Sequence, residues 1–235
     1  MSIKVKAIVI GGTNVKEKDR IVQLFTLENG KISVSMKGVR GDKAKLKSAK
    51  ELFCFGDFII EEGKSVNVVT SVDILDNFYA ITGDIEKYYE ACAIVDIVSK
   101  IAVEPNSQLF IELVKALKTL CYDDVKKYYV IDKFLISIFR GMGYDFMTEN
   151  CSNCGARLEA RYFNLDIGEI VCPACKTNLC IPISNSCYGA LRIFNNTEYE
   201  KISSISIGGE GEKKAFDLLS QNYYWRTGYN ILKII

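Results

Sequence analysis

The chain has 235 residues, with 30 basic and 29 acidic side chains and no histidine. Without imidazole there is no Ser-His-Asp or Cys-His nucleophile, no His-bearing zinc hydrolase site and no imidazole acid or base, so any catalysis would fall to carboxylate, Lys, Tyr or Cys. A hydrophobic share of 49% against 25% charged residues is that of a folded chain, long enough for one large or two small domains.

The N-terminal run MSIKVKAIVIGG alternates in period two, with Ile3, Val5, Ala7 and Val9 on one face of a strand. Its apolar core, broken by Lys4 and Lys6, is too short for a secretory signal, and no stretch approaches the roughly 18 to 20 apolar residues of a membrane span. The expected compartment is the cytoplasm, with no membrane partner. Thiols stay reduced there, so nine cysteines point to metal ligation or burial rather than disulfides.

Residues 21–25 and 32–36 read as two further strands around the turn Glu28-Asn29-Gly30. Residues 53–60 and 66–72 flank Glu61-Glu62-Gly63-Lys64 as a hairpin. Five strands at this spacing predict a small β-barrel, because closure disposes of exposed sheet edges.

After Gly83 the period becomes helical. Ile85, Tyr88, Tyr89, Cys92, Val95 and Val98 share one spacing, and Pro105-Asn106 separates this helix from a second over 109–120. A third is expected over about 125–142, ending at Gly143. Cysteine-rich sequence follows over 151–180, then amphipathic stretches over 184–194, 198–202 and 212–221. Strands first and helices second predict an α+β chain with segregated domains. The barrel takes 1–80, a helical domain takes 81–235, and a four-cysteine module over 148–180 is inserted in the latter.

Cys151-Ser152-Asn153-Cys154 and Cys172-Pro173-Ala174-Cys175 are two C-x-x-C pairs at zinc-ribbon spacing. A two-residue spacer lets both sulfurs of a knuckle face one tetrahedral ion, while Tyr162, Phe163, Leu165 and Ile167 favour a hairpin between the knuckles. Four thiolates fill the tetrahedron and leave no place for water, so one structural Zn2+ is the expected cofactor. The alternative is a pair of unmetallated or redox C-x-x-C motifs, although a thioredoxin-like site needs no second copy. Cys180 and Cys187 are near enough in sequence to substitute as ligands, and Cys54, Cys92 and Cys121 read as small core residues.

Residues 31–50 hold Lys31, Lys37, Arg40, Lys43, Lys45, Lys47 and Lys50 against one acid, Asp42, for a net +6. The rest of the chain carries −5, so the neutral total hides a strong local field. Cations clustered on a flexible connection of a small barrel suit a phosphate backbone, where counterion release supplies affinity. A solvated lysine-rich loop is the plainer reading. Phe53, Phe55 and Phe58 are either base-stacking platforms or the core face of a strand, and the tyrosine pairs 88/89, 128/129 and 223/224 read as packing, one ring inward and one out. The glycine run Gly208-Gly209-Glu210-Gly211-Glu212-Lys213 lacks P-loop spacing and reads as the opening of a helix. No catalytic constellation emerges, and the chain is expected not to be an enzyme.

Together these features resemble the bacterial recombination mediator family RecO. The resemblance is densest from Lys16 to Ser33, through Lys37-Gly38-Val39-Arg40 and Lys45-Leu46-Lys47, and returns at Gly143-Tyr144, CSNCG and CPAC. The stretch before Asp19, with Lys16 and Lys18 around Glu17, is more positive than the family pattern. The resemblance implies an N-terminal OB-fold barrel, a helical domain and a zinc module in metal-bearing members. It implies binding of single- and double-stranded DNA, annealing of complementary strands, partnership with RecR, contact with the C-terminal tail of single-stranded DNA-binding protein (SSB), and indirect action on RecA at the nucleoid. Lys37 and Arg40, extended by Lys43, Lys45 and Lys47, become the expected DNA contacts. Lys133 and Arg140 would rim an apolar notch for the SSB tail. The rival reading is a zinc-ribbon scaffold that binds proteins and no DNA.

Overall fold

A computed structural model of the chain describes residues 2–15, 17–41, 44–63, 65–102, 104–144 and 147–235. The chain divides into two compact units, Met1–Tyr122 and Asp123–Ile235.

In the first unit five strands, β1 (Ser2–Val15), β2 (Asp19–Thr26), β3 (Gly30–Met36), β4 (Phe55–Glu61) and β5 (Val68–Asp76), close a barrel in the order β1-β2-β3-β5-β4. This is the five-stranded barrel of the OB class. The long β1 makes closure feasible, because its first half pairs with β4 (Ser2 opposite Glu61) and its second half with β2 (Val15 opposite Asp19). A register slip between Val9 and Gly11 turns the strand from one partner to the other. Gly12 belongs at this crowded bend, since a Cβ there would lie 2.7 Å from the Ile21 carbonyl oxygen.

Val5, Ala7, Val9, Val22, Val34 and Phe58 point into the barrel core as the period-two reading expects. Ile3 does not. It is 41% exposed, because β1 has only β4 beside it before Ala7.

α1 (Ile85–Ile101) begins where the Asp84 carboxylate accepts the N–H groups of Glu86 and Lys87 at 2.9 and 3.1 Å. α2 (Ser107–Tyr122) follows Pro105, with the Asn106 side chain accepting the Leu109 N–H at 2.9 Å. Phe110 of α2 covers Phe25 and Phe55 on the outside of the barrel, with ring centroids 5.7 and 6.2 Å apart. Residues 7–10 of β1 are consequently buried on both faces.

The second unit holds α3 (Tyr129–Gly141), a three-stranded sheet of β6 (Arg161–Asn164), β7 (Glu169–Val171) and β8 (Cys180–Ile183) in the order β7-β6-β8, then α4 (Asn185–Asn196) and α5 (Gly209–Thr227). α3 starts four residues later than its periodicity predicts. Residue 128 takes a left-handed turn (φ 70°), and its ring stacks on Phe216 with centroids 4.2 Å apart. α5 extends beyond the predicted span at both ends. The glycine run forms its first turn, and Gly211 lets it close on α4, where a Cβ would meet the Ser186 carbonyl oxygen at 2.7 Å. Among the described residues no helix is long and apolar enough to cross a membrane.

Candidate metal centre and nucleic-acid interface

The two C-x-x-C pairs are carried by turns that their own sequences impose. At the first, Cys151 donates its N–H to the Ala156 carbonyl at 2.7 Å and its carbonyl accepts the Gly155 N–H at 2.8 Å. Gly155 supplies the left-handed φ of 73° that brings the chain back. At the second, Pro173 opens a short 3-10 turn and Cys175 donates to the Cys172 carbonyl at 3.1 Å. Ser152 ties the two turns together, its N–H and hydroxyl both donating to the Ile170 carbonyl at 3.1 and 3.0 Å. The β6–β7 hairpin between them is the expected ribbon, closed by Asn164, whose side chain accepts the Asp166 N–H at 2.9 Å. β8 is a third strand that the sequence reading did not identify.

The sulfurs of Cys151, Cys154, Cys172 and Cys175 consequently lie within 4.8 Å of one another. Cys154 and Cys172, one from each pair, are 3.8 Å apart. A tetrahedron with zinc–sulfur bonds of about 2.3 Å has edges of about 3.8 Å, so the donor set fits a single ion. Burial pushes the Cys151 thiol up, but the N–H groups of Cys172, Cys154 and Asn153 outweigh it and bring it to about 6. The Asn153 side chain pulls the Cys175 thiol down; the three neighbouring cysteines, with burial, push it up to about 11. Four crowded sulfurs thus resist joint deprotonation unless a cation stands among them.

Cys180 and Cys187 lie outside this cluster. Cys180 accepts the Thr177 N–H at 3.2 Å, while Cys187 is buried on α4 with its thiol pushed up to about 11 by desolvation. Burial likewise drives Cys54 to about 12.

The basic segment joins β3 to β4 and is not a loose loop. Val39, Leu46, Ala49 and Cys54 pack into the barrel core, so the connection plugs one end of the barrel. Successive turns wind it, Ala44 donating to Gly41, Lys47 to Ala44 and Ala49 to Leu46 at 3.1 to 3.2 Å. With the apolar side chains turned in, Lys37, Arg40, Lys45 and Lys47 are turned out and exposed. Gly38, at φ 64°, donates its N–H to the Asp19 carboxylate at 2.8 Å, and Arg40 donates to the carbonyls of Lys18 and Glu17 at 3.0 Å each. These bonds bring the exposed Lys18 of the β1–β2 turn beside the strip, a neighbour that chain separation hid.

Two cations of the segment are used elsewhere. Lys31 donates to the Ser99 carbonyl at 2.6 Å in the last turn of α1, and Lys50 pairs with Glu51. Lys43, like Lys16, lies outside the described residues.

The phenylalanines resolve to packing. Phe58 enters the barrel core, Phe55 lies against Phe110, and Phe53 meets Tyr88 edge-on at 5.9 Å. Tyr129 and Tyr223 are buried as one of each pair should be, whereas Tyr88 and Tyr89 are both exposed. Of the two cations expected at an SSB-tail notch, Lys133 is only 8% exposed, with its ammonium 3.5 Å from the Asn195 carbonyl oxygen and 5.9 Å from the Tyr199 ring centroid. Arg140 is exposed near the end of α3, close in sequence to Met142, itself 48% exposed.

Comparison with known proteins agrees with this arrangement of parts. The family described as recombination protein O N terminal matches residues 1–78, and recombination protein O C terminal matches 82–233. Both differ in boundary from the compact units, because α1 and α2 pack with the barrel. Among curated relatives, a protein named DNA repair protein RecO from Acetivibrio thermocellus is 30% identical over 86% of this chain and 82% of its own length. Proteins of the same name from Clostridium novyi and Dehalococcoides mccartyi are 27% and 29% identical, covering 94% and 88% of this chain and 89% and 83% of theirs.

Proposed function

The chain belongs to the RecO family of DNA repair proteins, and we propose that it works as a mediator which binds single- and double-stranded DNA and anneals complementary strands. The observation that carries this reading is the row of exposed Lys37, Arg40, Lys45 and Lys47, held on the barrel by the buried Val39, Leu46 and Ala49. An anchored row of cations meets successive phosphates without first having to be ordered, so less conformational entropy is lost on binding.

Annealing then follows from electrostatics. Two complementary strands repel through their phosphates, and a protein that neutralises part of that charge on each lets base pairing bring them together. No covalent bond forms or breaks in annealing, so this reading asks for no catalytic side chain.

The four thiolates would hold one Zn2+, whose contribution when bound is to fix the two knuckles and the β6–β7 hairpin as one rigid piece. Family membership supports partnership with RecR, contact with the acidic SSB tail and delivery of RecA to SSB-coated DNA, in the cytoplasm at the nucleoid. For that tail Arg140 is the accessible cation, while Lys133 lies too deep to meet it without rearrangement.

Strand annealing of two complementary oligonucleotides tests the assignment. Replacing Lys37, Arg40, Lys45 and Lys47 together by Ala is expected to slow annealing at least tenfold while thermal unfolding stays unchanged, since all four are exposed. Annealing at the native rate would remove these residues from the interface. A scaffold that binds only proteins would anneal nothing, with or without the substitutions.

A further inference from the structure

The antiparallel ladder between β2 and β3 ends at the pair Arg20–Met36. Beyond it the chain leaves β3 in a turn, with Gly41 donating its N–H to the Gly38 carbonyl at 3.1 Å. That turn decides where two of the cations go. Val39 within it is buried in the barrel core, while Lys37 and Arg40 on either side are exposed.

Three ties hold the turn, each at a different residue. Burial anchors Val39. Arg40 is fastened twice to the β1–β2 turn, by its backbone N–H to the Lys18 carbonyl and by its guanidinium to the Glu17 carbonyl, at 3.0 Å each. Gly38 is fastened by a side chain, its N–H donating to Asp19 Oδ1 at 2.8 Å. Gly38 has a left-handed φ of 64°, and among the described residues no atom lies within 4 Å of where its Cβ would stand. Packing therefore does not fix Gly38 on that side, and the bond to Asp19 does.

Charge gives that bond a further meaning. Residues 17–20 and 37–40 hold four cations, Lys18, Arg20, Lys37 and Arg40, and two acids, Glu17 and Asp19. A carboxylate among them repels DNA phosphate, so attraction alone would be better served without Asp19. In return the carboxylate supplies a charge-assisted hydrogen bond, stronger than a neutral acceptor makes, to the amide next to Lys37.

We propose that Asp19 is a positioning residue for DNA, which by accepting the Gly38 N–H holds the turn so that Lys37 and Arg40 are presented to phosphates already ordered. This role rests on the DNA-binding reading above. It carries an opposite sign to simple electrostatics: Asp19→Ala removes a repulsive charge and yet weakens binding, because backbone and side chains must then be ordered when DNA binds.

The test compares the full metal-loaded native chain with Asp19→Asn, Asp19→Ala and Gly38→Ala, using anisotropy of a dye-labelled DNA duplex at fixed salt. Asp19→Asn keeps an acceptor for the Gly38 N–H and loses the charge, and is expected to bind about twofold tighter. Asp19→Ala is expected to bind about fivefold weaker than the native chain. Gly38→Ala strains the left-handed turn and leaves the carboxylate in place, so it should weaken binding to a similar degree and serves if Asp19→Ala misfolds. Hydrogen exchange supplies a readout that overall stability does not move: in Asp19→Ala the Gly38 amide should exchange at least tenfold faster while the amides of Val22 and Val34 keep their protection.

Asp19→Ala binding as tightly as Asp19→Asn, or Asp19→Asn binding as weakly as Asp19→Ala, would overturn this role. Either result leaves the DNA-binding reading intact, provided that the variant with Lys37, Arg40, Lys45 and Lys47 replaced by Ala binds the same duplex more weakly than the native chain. Equal binding by that variant would instead defeat the reading itself, and the role of Asp19 with it.

Discussion

Asp57, on β4, takes two lysines of β1 at once: Lys6 Nζ at 2.7 Å and Lys4 Nζ at 3.0 Å. The hydrogen bonds from Lys6 and then Lys4 hold its carboxyl below the ordinary value of 3.8. A folded-state pKa lower than the unfolded one means stability that is complete above the ordinary Asp value and is lost as pH falls through the depressed one. Asp57→Asn should therefore cost little at neutral pH, because the lysines are exposed and screened, and should flatten the decline in the urea midpoint between pH 5 and pH 3. An equally steep decline in native and variant proteins would remove Asp57 from the account. At the other unit Arg226 is the busiest side chain. It lies 3.8 Å from the Tyr144 ring centroid and donates to the Tyr144 hydroxyl, the Asn222 side chain and the Leu165 carbonyl at 2.8, 3.0 and 3.2 Å. It thereby fastens the β6–β7 hairpin to α5. Gly168 at the hairpin turn has φ 75°, and a Cβ there would fall 2.2 Å from Arg226 Nη2 and 2.7 Å from the Tyr144 ring. Gly143, at φ 90°, has nothing within 4 Å. Gly168→Ala should destabilise the second unit by about 2 to 3 kcal/mol, and Gly143→Ala by only about 1 kcal/mol, from backbone strain alone. Thermal unfolding of the two variants checks the order, and equal losses would contradict the packing described.

At the scale of elements, the four-cysteine ribbon is the most legible part of the chain, because the spacing of the two C-x-x-C pairs brings their sulfurs together. Its hairpin was legible too, from Tyr162, Phe163 and Leu165. Its third strand, β8, was not: Cys180-Ile181-Pro182-Ile183 is too short and too proline-interrupted to announce itself, and it exists because β6 offers it an edge. The ribbon predicts its own dependence on metal. Removing one ligand by Cys154→Ser should lower bound zinc well below one equivalent per chain and raise protease cleavage within 148–180, while the first unit keeps its unfolding midpoint. Full zinc occupancy in that variant would mean that another cysteine completes the site. In the barrel, period two located all five strands, yet it placed Ile3 with the core and left the length of β1 unseen. The pairing of one strand with two partners is a property of closure, not of local pattern.

For the whole molecule, local sequence shows where the cations are concentrated, in 31–50, and tertiary structure shows how they are sorted. Of the cations in 31–50, Lys50 pairs with its sequence neighbour Glu51, whereas the exposed Lys31 reaches the Ser99 carbonyl of α1, and Lys18 joins the strip from the β1–β2 turn. Tertiary hydrogen bonds of this kind have no local signature. The tyrosine pair 223/224, by contrast, follows its local reading of one ring inward and one outward, with Tyr223 buried and Tyr224 exposed. The central claim is that Lys37, Arg40, Lys45 and Lys47 meet DNA phosphates, and each such contact contributes about 0.7 to the slope of log affinity against log salt for single strands and about 0.9 for duplex. The decisive measurement is that slope for duplex DNA, taken for the native chain and for the variant with all four replaced by Ala. The account predicts a slope shallower by about 3 to 4 in the variant. The same slope in both proteins would contradict it.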